Sequence, residues 1–162
     1  MIILIQEKLK RMRVTENDYK RKVLGDIGEK IVGNYMSRIG RTVEMSTDPF
    51  DSEKDMKVNG VSLEVKTQVP FCLEKSFTIR KNQLNKCLNV DYFVVVQAPC
   101  EYLNEAAIWK VKKGFTYNTV KLKGGGERLS IPMYQDKVIK KFDIVGEDKD
   151  LLRKYSTDFG AL

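Results

Sequence analysis

The sequence predicts a mixed α/β domain built on one central sheet. Three observations carry that prediction: apolar residues recurring every four positions from Tyr19 to Ile39, an Asn-Gly turn between two alternating runs, and a continuous apolar run at Tyr92–Gln97. A chain of 162 residues with 42% hydrophobic content suffices for one core and leaves little room for a second domain.

Taken in order, Thr15 followed by Asp18 reads as a helix N-terminal cap. From there Tyr19, Val23, Ile27, Ile31, Tyr35 and Ile39, widened by Leu24, Val32 and Met36, describe an amphipathic helix of about six turns, closed by Gly40. The four residues Ile2 to Ile5 ahead of it are expected to form an edge strand or a helix start packed on the core, with a self-association patch as the alternative. Arg41 to Ser46 predicts a first strand, and Asp48-Pro49-Phe50-Asp51 a break. In Asp55 to Lys66, Asn59-Gly60 joins two alternating runs and specifies a hairpin. Pairing outward from that turn sets Val58 opposite Val61, Lys57 opposite Ser62, Met56 opposite Leu63 and Asp55 opposite Glu64. The period of two puts Met56, Val58, Val61, Leu63 and Val65 on a buried face, with Asp55, Glu64 and Lys66 on the other. Arg80 to Asn89 is expected to be a short helix with Leu84 and Leu88 inward. Tyr92 to Gln97 reads as a strand covered on both faces, and Ala106 to Val111 as a further strand. Lys112 to Arg128 reads as a basic, glycine-rich loop, Lys137 to Val145 as a strand and Asp148 to Tyr155 as a closing helix.

Composition narrows the chemistry. The chain has no histidine, which excludes Ser-His-Asp triads, HExxH zinc sites and histidine-based phosphotransfer. Lys and Arg number 29 against 22 Asp and Glu, a net charge of +7 that points to a polyanionic partner. Cys72, Cys87 and Cys100 are widely spaced, so neither a structural zinc site nor a disulfide framework is expected. A reducing, cytoplasmic compartment follows as the expectation, with no signal peptide and no membrane span.

Two carboxylates facing each other across a hairpin lie about 5 Å apart at Cβ and repel. A divalent cation between them removes that repulsion, and Mg²⁺ suits oxygen ligands, with Mn²⁺ able to substitute. Such a metal polarises a phosphoryl oxygen and acidifies a bound water, and Lys66 on the same face can orient that water or stabilise charge on the phosphate. Charges alternating with Val and Leu are also what any strand with one wet face shows. Glu29, on the long helix, has Gly25, Gly28 and Gly33 around it. Three glycines within nine helical residues, each costing about 1 kcal/mol against Ala, imply a close approach by a sheet edge or a nucleic-acid backbone.

Glu29, Asp55 and Glu64-Val65-Lys66 resemble the PD-(D/E)XK nuclease superfamily, whose signature is an acidic residue on the first helix, an Asp at a strand start and Glu-x-Lys on the next strand. The run Gly25-Asp26-Ile27-Gly28-Glu29 is similar to members among archaeal-type Holliday junction resolvases and intron-type homing endonucleases. The resemblance covers roughly Leu24 to Gln97 and implies a restriction-endonuclease-like αβββαβ core with a mixed central sheet flanked by helices. It further implies one nuclease domain over 1–162, with its core at about 15–112 and C-terminal additions at 113–162. By the same resemblance Asp55, Glu64 and the Val65 carbonyl bind metal, Lys66 is catalytic and Glu29 completes the acidic cluster. The family's proline before the aspartate is absent, since Lys54 precedes Asp55, and Asp51 is a rival ligand. Lys20, Arg21, Lys22, Arg80, Lys81 and Lys86 are candidate phosphate contacts, as are Lys121, Lys123 and Arg128 around the glycine run. Gln68 extends the Glu64 face toward substrate. The expected activity is Mg²⁺-dependent hydrolysis of DNA by an endonuclease of junction-resolving type acting in recombination. A site-specific homing or restriction-like enzyme and a non-catalytic nucleic-acid-binding module are the alternatives. One such site cuts one strand, so a homodimer or larger symmetric assembly is expected.

Overall fold

A computed structural model of the chain describes residues 2–46, 56–71 and 75–156, and at 9–15, 17 and 18 the backbone only. Helix α1 spans Ile2–Arg38. It begins well before Thr15, because no Gly or Pro interrupts the run from Ile2 to Leu24 and most of that run consists of strong helix formers. Ile2 to Ile5 therefore start the helix, yet they are exposed and do not pack on the core. At the other end Gly40 adopts φ 84°, its N–H donates to the Ser37 carbonyl, and the Arg41 N–H donates to that of Met36, both at 3.0 Å. This is the left-handed C-terminal closure expected of a glycine there. The buried stripe of α1 runs through Leu24, Gly28, Ile31 and Val32, while Tyr19 is 65% exposed and Ile39 also faces outward.

Strand β1 is Val43–Met45, β2 Met56–Val58 and β3 Val61–Gln68. Asn59 and Gly60 take φ of 51° and 79°, and Val58 faces Val61, Lys57 faces Ser62 and Met56 faces Leu63, the register expected from the sequence. Asn59 also fastens the turn to β1: its Oδ1 accepts the Thr42 N–H, and its own N–H donates to the Thr42 carbonyl, both at 2.8 Å. Strand β4, Ser76–Arg80, leads through a 3₁₀ turn at Lys81–Gln83 into α2, Leu84–Asn89. The inward residue of α2 is Cys87, with Leu84 half-buried and Leu88 exposed, which corrects the expected inward pair. Then follow β5 (Tyr92–Gln97), β6 (Ala107–Val111), β7 (Asn118–Lys121), β8 (Glu127–Pro132), β9 (Val138–Asp143) and α3 (Gly146–Ser156).

Six strands form the central sheet in the order β1-β2-β3-β5-β6-β9, with β3 and β5 parallel and all other neighbours antiparallel. The expected αβββαβ succession is present with β4 inserted before α2. A second sheet, β4-β8-β7, was not expected, and the supposed loop from Lys112 to Arg128 supplies β7 and the start of β8 to it. Of the region beyond 112, β9 completes the central sheet and α3 packs on α1, so the described part, 113–156, is structurally integral. Leu63, Val65, Val94 and Val96 meet α1 and α3 on one face of the central sheet. Phe93, Val95 and Trp109 meet the second sheet and α2 on the other. This double cover is why β5 is apolar at successive positions. Among the described residues no helix is long and apolar enough to cross a membrane.

Candidate functional site

Alternation along β3 decides which side chains can meet. Leu63 and Val65 point to α1, so Glu64, Lys66 and Gln68 point to the second sheet and α2. That face is closed over Glu64, whose side chain has 0% residue exposure. Lys66 Nζ lies 2.8 Å from Glu64 Oε1, and Lys86 Nζ of α2 lies 3.1 Å from Oε2, each lysine side chain retaining 22% exposure. Both are close ion pairs by distance and lack the angles of hydrogen bonds. Burying a carboxylate costs several kcal/mol unless it is compensated, and here each oxygen faces its own ammonium. Lys86 was singled out in the sequence only as a surface phosphate contact. Its meeting with Glu64 depends on the turn of α2 that buries Cys87 next to it, which no local pattern announces.

Asp55 and its rival Asp51 lie outside the described residues. Glu29 is half-buried on α1, directly after Gly28. A Cβ on Gly28 would overlap the side chain of Thr67, so this glycine lets α1 sit directly on β3. Gly33 makes only ordinary contact with Val43 and Met45, and nothing lies near a Cβ at Gly25. A central strand, not a sheet edge or a nucleic acid, is what makes the close approach. Glu29 thus arrives on the helix that covers the face of β3 opposite Glu64. Among the described residues no three Cys, Asp or Glu side chains gather. Val65 is in mid-strand, its register partner on β5 being Val94.

Gln68 is committed elsewhere. Its Nε2 donates to the Thr78 carbonyl at 2.8 Å and its Oε1 accepts the Thr78 N–H at 2.7 Å, which ties the central sheet to β4. The amide therefore serves the junction between the sheets. Its register neighbour Gln97 is buried and accepts the Trp109 indole N–H at 2.8 Å.

The second sheet collects five of the expected phosphate contacts. Arg80 on β4 stands directly opposite Arg128 on β8, and Lys121 on β7 opposite Glu127. Lys81 Nζ is 2.8 Å from Glu127 Oε2, and this hydrogen bond raises the ammonium pKa above its ordinary value. The turn carrying Lys123 closes with the Leu122 N–H on the Gly126 carbonyl at 2.8 Å. An open hollow of about 360 Å³ lies between the two halves, lined by Arg80, Lys81, Asn82, Leu122, Glu127 and Arg128 among others. Lys20 and Lys22 stay apart from this platform on α1, Lys20 within 3.7 Å of Glu16. A second basic group went unforeseen. Lys110 lies over the Tyr92 ring at 4.3 Å from its centroid, and its pKa is lowered by burial first, then by Lys141, Lys112 and Arg41. The signal was present as lysines alternating along β6 and its exit.

No protein-family model matches the chain, and no curated protein matches it at a significant level.

Proposed function

We propose that the chain is a metal-dependent DNA endonuclease of junction-resolving type, acting as a homodimer or larger symmetric assembly. The observation that supports this reading is the buried Glu64 carboxylate, 2.8 Å from the ammonium of Lys66 on its own strand. A carboxylate beside a backbone carbonyl offers hard oxygen donors, which suit Mg²⁺ or Mn²⁺. Asp55, Glu64 and the Val65 carbonyl would hold the ion. Bound there, the ion would supply Lewis-acid polarisation of a phosphoryl oxygen and a water of lowered pKa. Lys66 orients the attacking water or offsets the charge that grows on the phosphate. Arg80, Lys81, Lys121, Lys123 and Arg128 hold the sugar-phosphate backbone without reading bases.

A non-catalytic nucleic-acid-binding module is the second reading, favoured by the Arg80–Arg128 rung of the second sheet. Cleavage of plasmid and four-way junction DNA with Mg²⁺ separates the two. Lys66→Met is the most informative variant, because Lys86 still compensates Glu64 and the fold survives. Its cleavage rate is expected to fall by about a hundredfold or more while circular dichroism stays unchanged. Glu64→Ala should abolish cutting, but it strands two ammonium groups and is expected to lose about 3–5 kcal/mol of stability. Wild-type turnover retained in folded Lys66→Met would refute the catalytic assignment, and binding without cutting under any metal would establish the module.

A further inference from the structure

We propose that the hollow between the end of β4 and the β7–β8 turn takes one unpaired nucleotide of a DNA strand, its phosphate on Arg80 and Arg128 and its base against Leu122. This deepens the nucleic-acid reading that the nuclease and the binding module share, and it does not depend on cleavage. The arginines come first. As register partners on β4 and β8 they set their Cβ atoms about 5 Å apart on one side of the sheet, where like charges weaken the strand pair. Glu127, the one carboxylate lining the hollow, already has its cation, because Lys81 Nζ lies 2.8 Å from its Oε2. That leaves the two guanidiniums to an anion from outside. The rest of the lining suits a base. Leu122 borders the hollow with 40% exposure, and Asn82 supplies a donor and an acceptor for a base edge. Gly125 takes φ 89° and accounts for the turn, whereas Gly126 has no positive φ. A Cβ there would lie 3.7 Å from Leu122 Cδ1, an ordinary contact, so the fold does not demand this glycine. Its missing side chain leaves the space beside Leu122 open. A volume of about 360 Å³ has room for one nucleotide and none for a duplex. Paired bases are stacked inside a duplex and do not reach such a surface, while an unpaired one turns out of the strand onto it at small cost.

The test is fluorescence anisotropy with the full-length chain in EDTA, so that binding is read without cutting. Three labelled probes are compared: a fully paired duplex, the same duplex with one unpaired thymidine, and the same with an abasic nucleotide in that place. Wild type should bind the thymidine bulge about tenfold more tightly than the paired duplex, and the abasic bulge no better than the paired one. Gly126→Val, which fills the hollow, and Leu122→Ala, which removes its apolar wall, should each reduce that ratio to near one. Equal affinity for the thymidine and abasic bulges would show that a bend is recognised and not a base, and would overturn the site. A full preference retained in either variant, folded by circular dichroism, would overturn it as well. Thymidine monophosphate displacing the bulged probe at its own dissociation constant would make this a site for free nucleotides and overturn the strand as ligand. Binding of all three probes with one affinity sinks the nucleotide site and leaves the nuclease reading to its cleavage assay. Binding of none sinks the nucleic-acid reading, and the site with it.

Discussion

Gly28 and Gly25 lie one turn apart on α1 and are expected to respond in opposite ways to a methyl group. At Gly28 the added carbon meets Thr67 at its Oγ1, Cβ and Cγ2, so rotating one hydroxyl does not clear it. Gly28→Ala should therefore lose about 1–2 kcal/mol in urea unfolding, overpacking outweighing the gain in helix propensity. Gly25→Ala, with nothing near its Cβ, should gain up to about 1 kcal/mol. Asp91 gives a second residue-level expectation. Its Oδ2 accepts the Ser62 N–H and hydroxyl, both at 2.9 Å, and the backbone hydrogen bond is the main cause that lowers its pKa. A depressed carboxylate contributes stability that is complete above the unfolded-state pKa and is lost as pH falls through the folded one. The stability gap between wild type and Asp91→Asn should thus be flat near neutrality and shrink in acid, as urea unfolding at a series of pH values would show. The carboxylate–lysine spacing at Glu64 and Lys66 was legible as alternation in β3. The burial of Glu64 was not, because Lys86 of α2, which meets it, lies 22 residues further along the chain with no sequence-local link to it.

At the level of elements, the hairpin was fully specified by Asn59-Gly60, since only residues tolerant of positive φ fit both turn positions. Strand β7 was invisible for the converse reason. All four of its residues are exposed, so it carries no alternating apolar signal, and its pairing with β8 alone holds it. β4 did carry the signal, with Phe77 and Ile79 alternating against Thr78 and Arg80, but the reading passed over it between Pro70 and the following helix. The Arg80–Arg128 rung is where this missed sheet bears on function. Like charges directly opposite each other weaken a strand pair, so Arg128→Ala should raise stability by a few tenths of a kcal/mol. If the rung grips phosphates, the double variant Arg80→Ala with Arg128→Ala should bind all duplexes more weakly. The slope of log K against log salt should also flatten by about two, measured by fluorescence anisotropy across a salt series. An unchanged slope would place the DNA elsewhere, with the group around Lys110 as the next candidate.

For the molecule as a whole, the mixed α/β class and the central sheet were legible because each rests on local periodicity in α1, β3 and β5. The second layer was not, because it depends on β4 finding β8 across about a third of the chain, and nothing in Ser76–Arg80 names that partner. That pairing also sets a timetable. β3, with Glu64 and Lys66, leaves the ribosome before the strand that completes the basic platform, and before β9. Contacts of such long sequence separation close late in folding. A partly made chain therefore carries its carboxylate and lysine before it carries the β4–β8 rung of arginines, and the two halves of the apparatus come together only after β8 has been made.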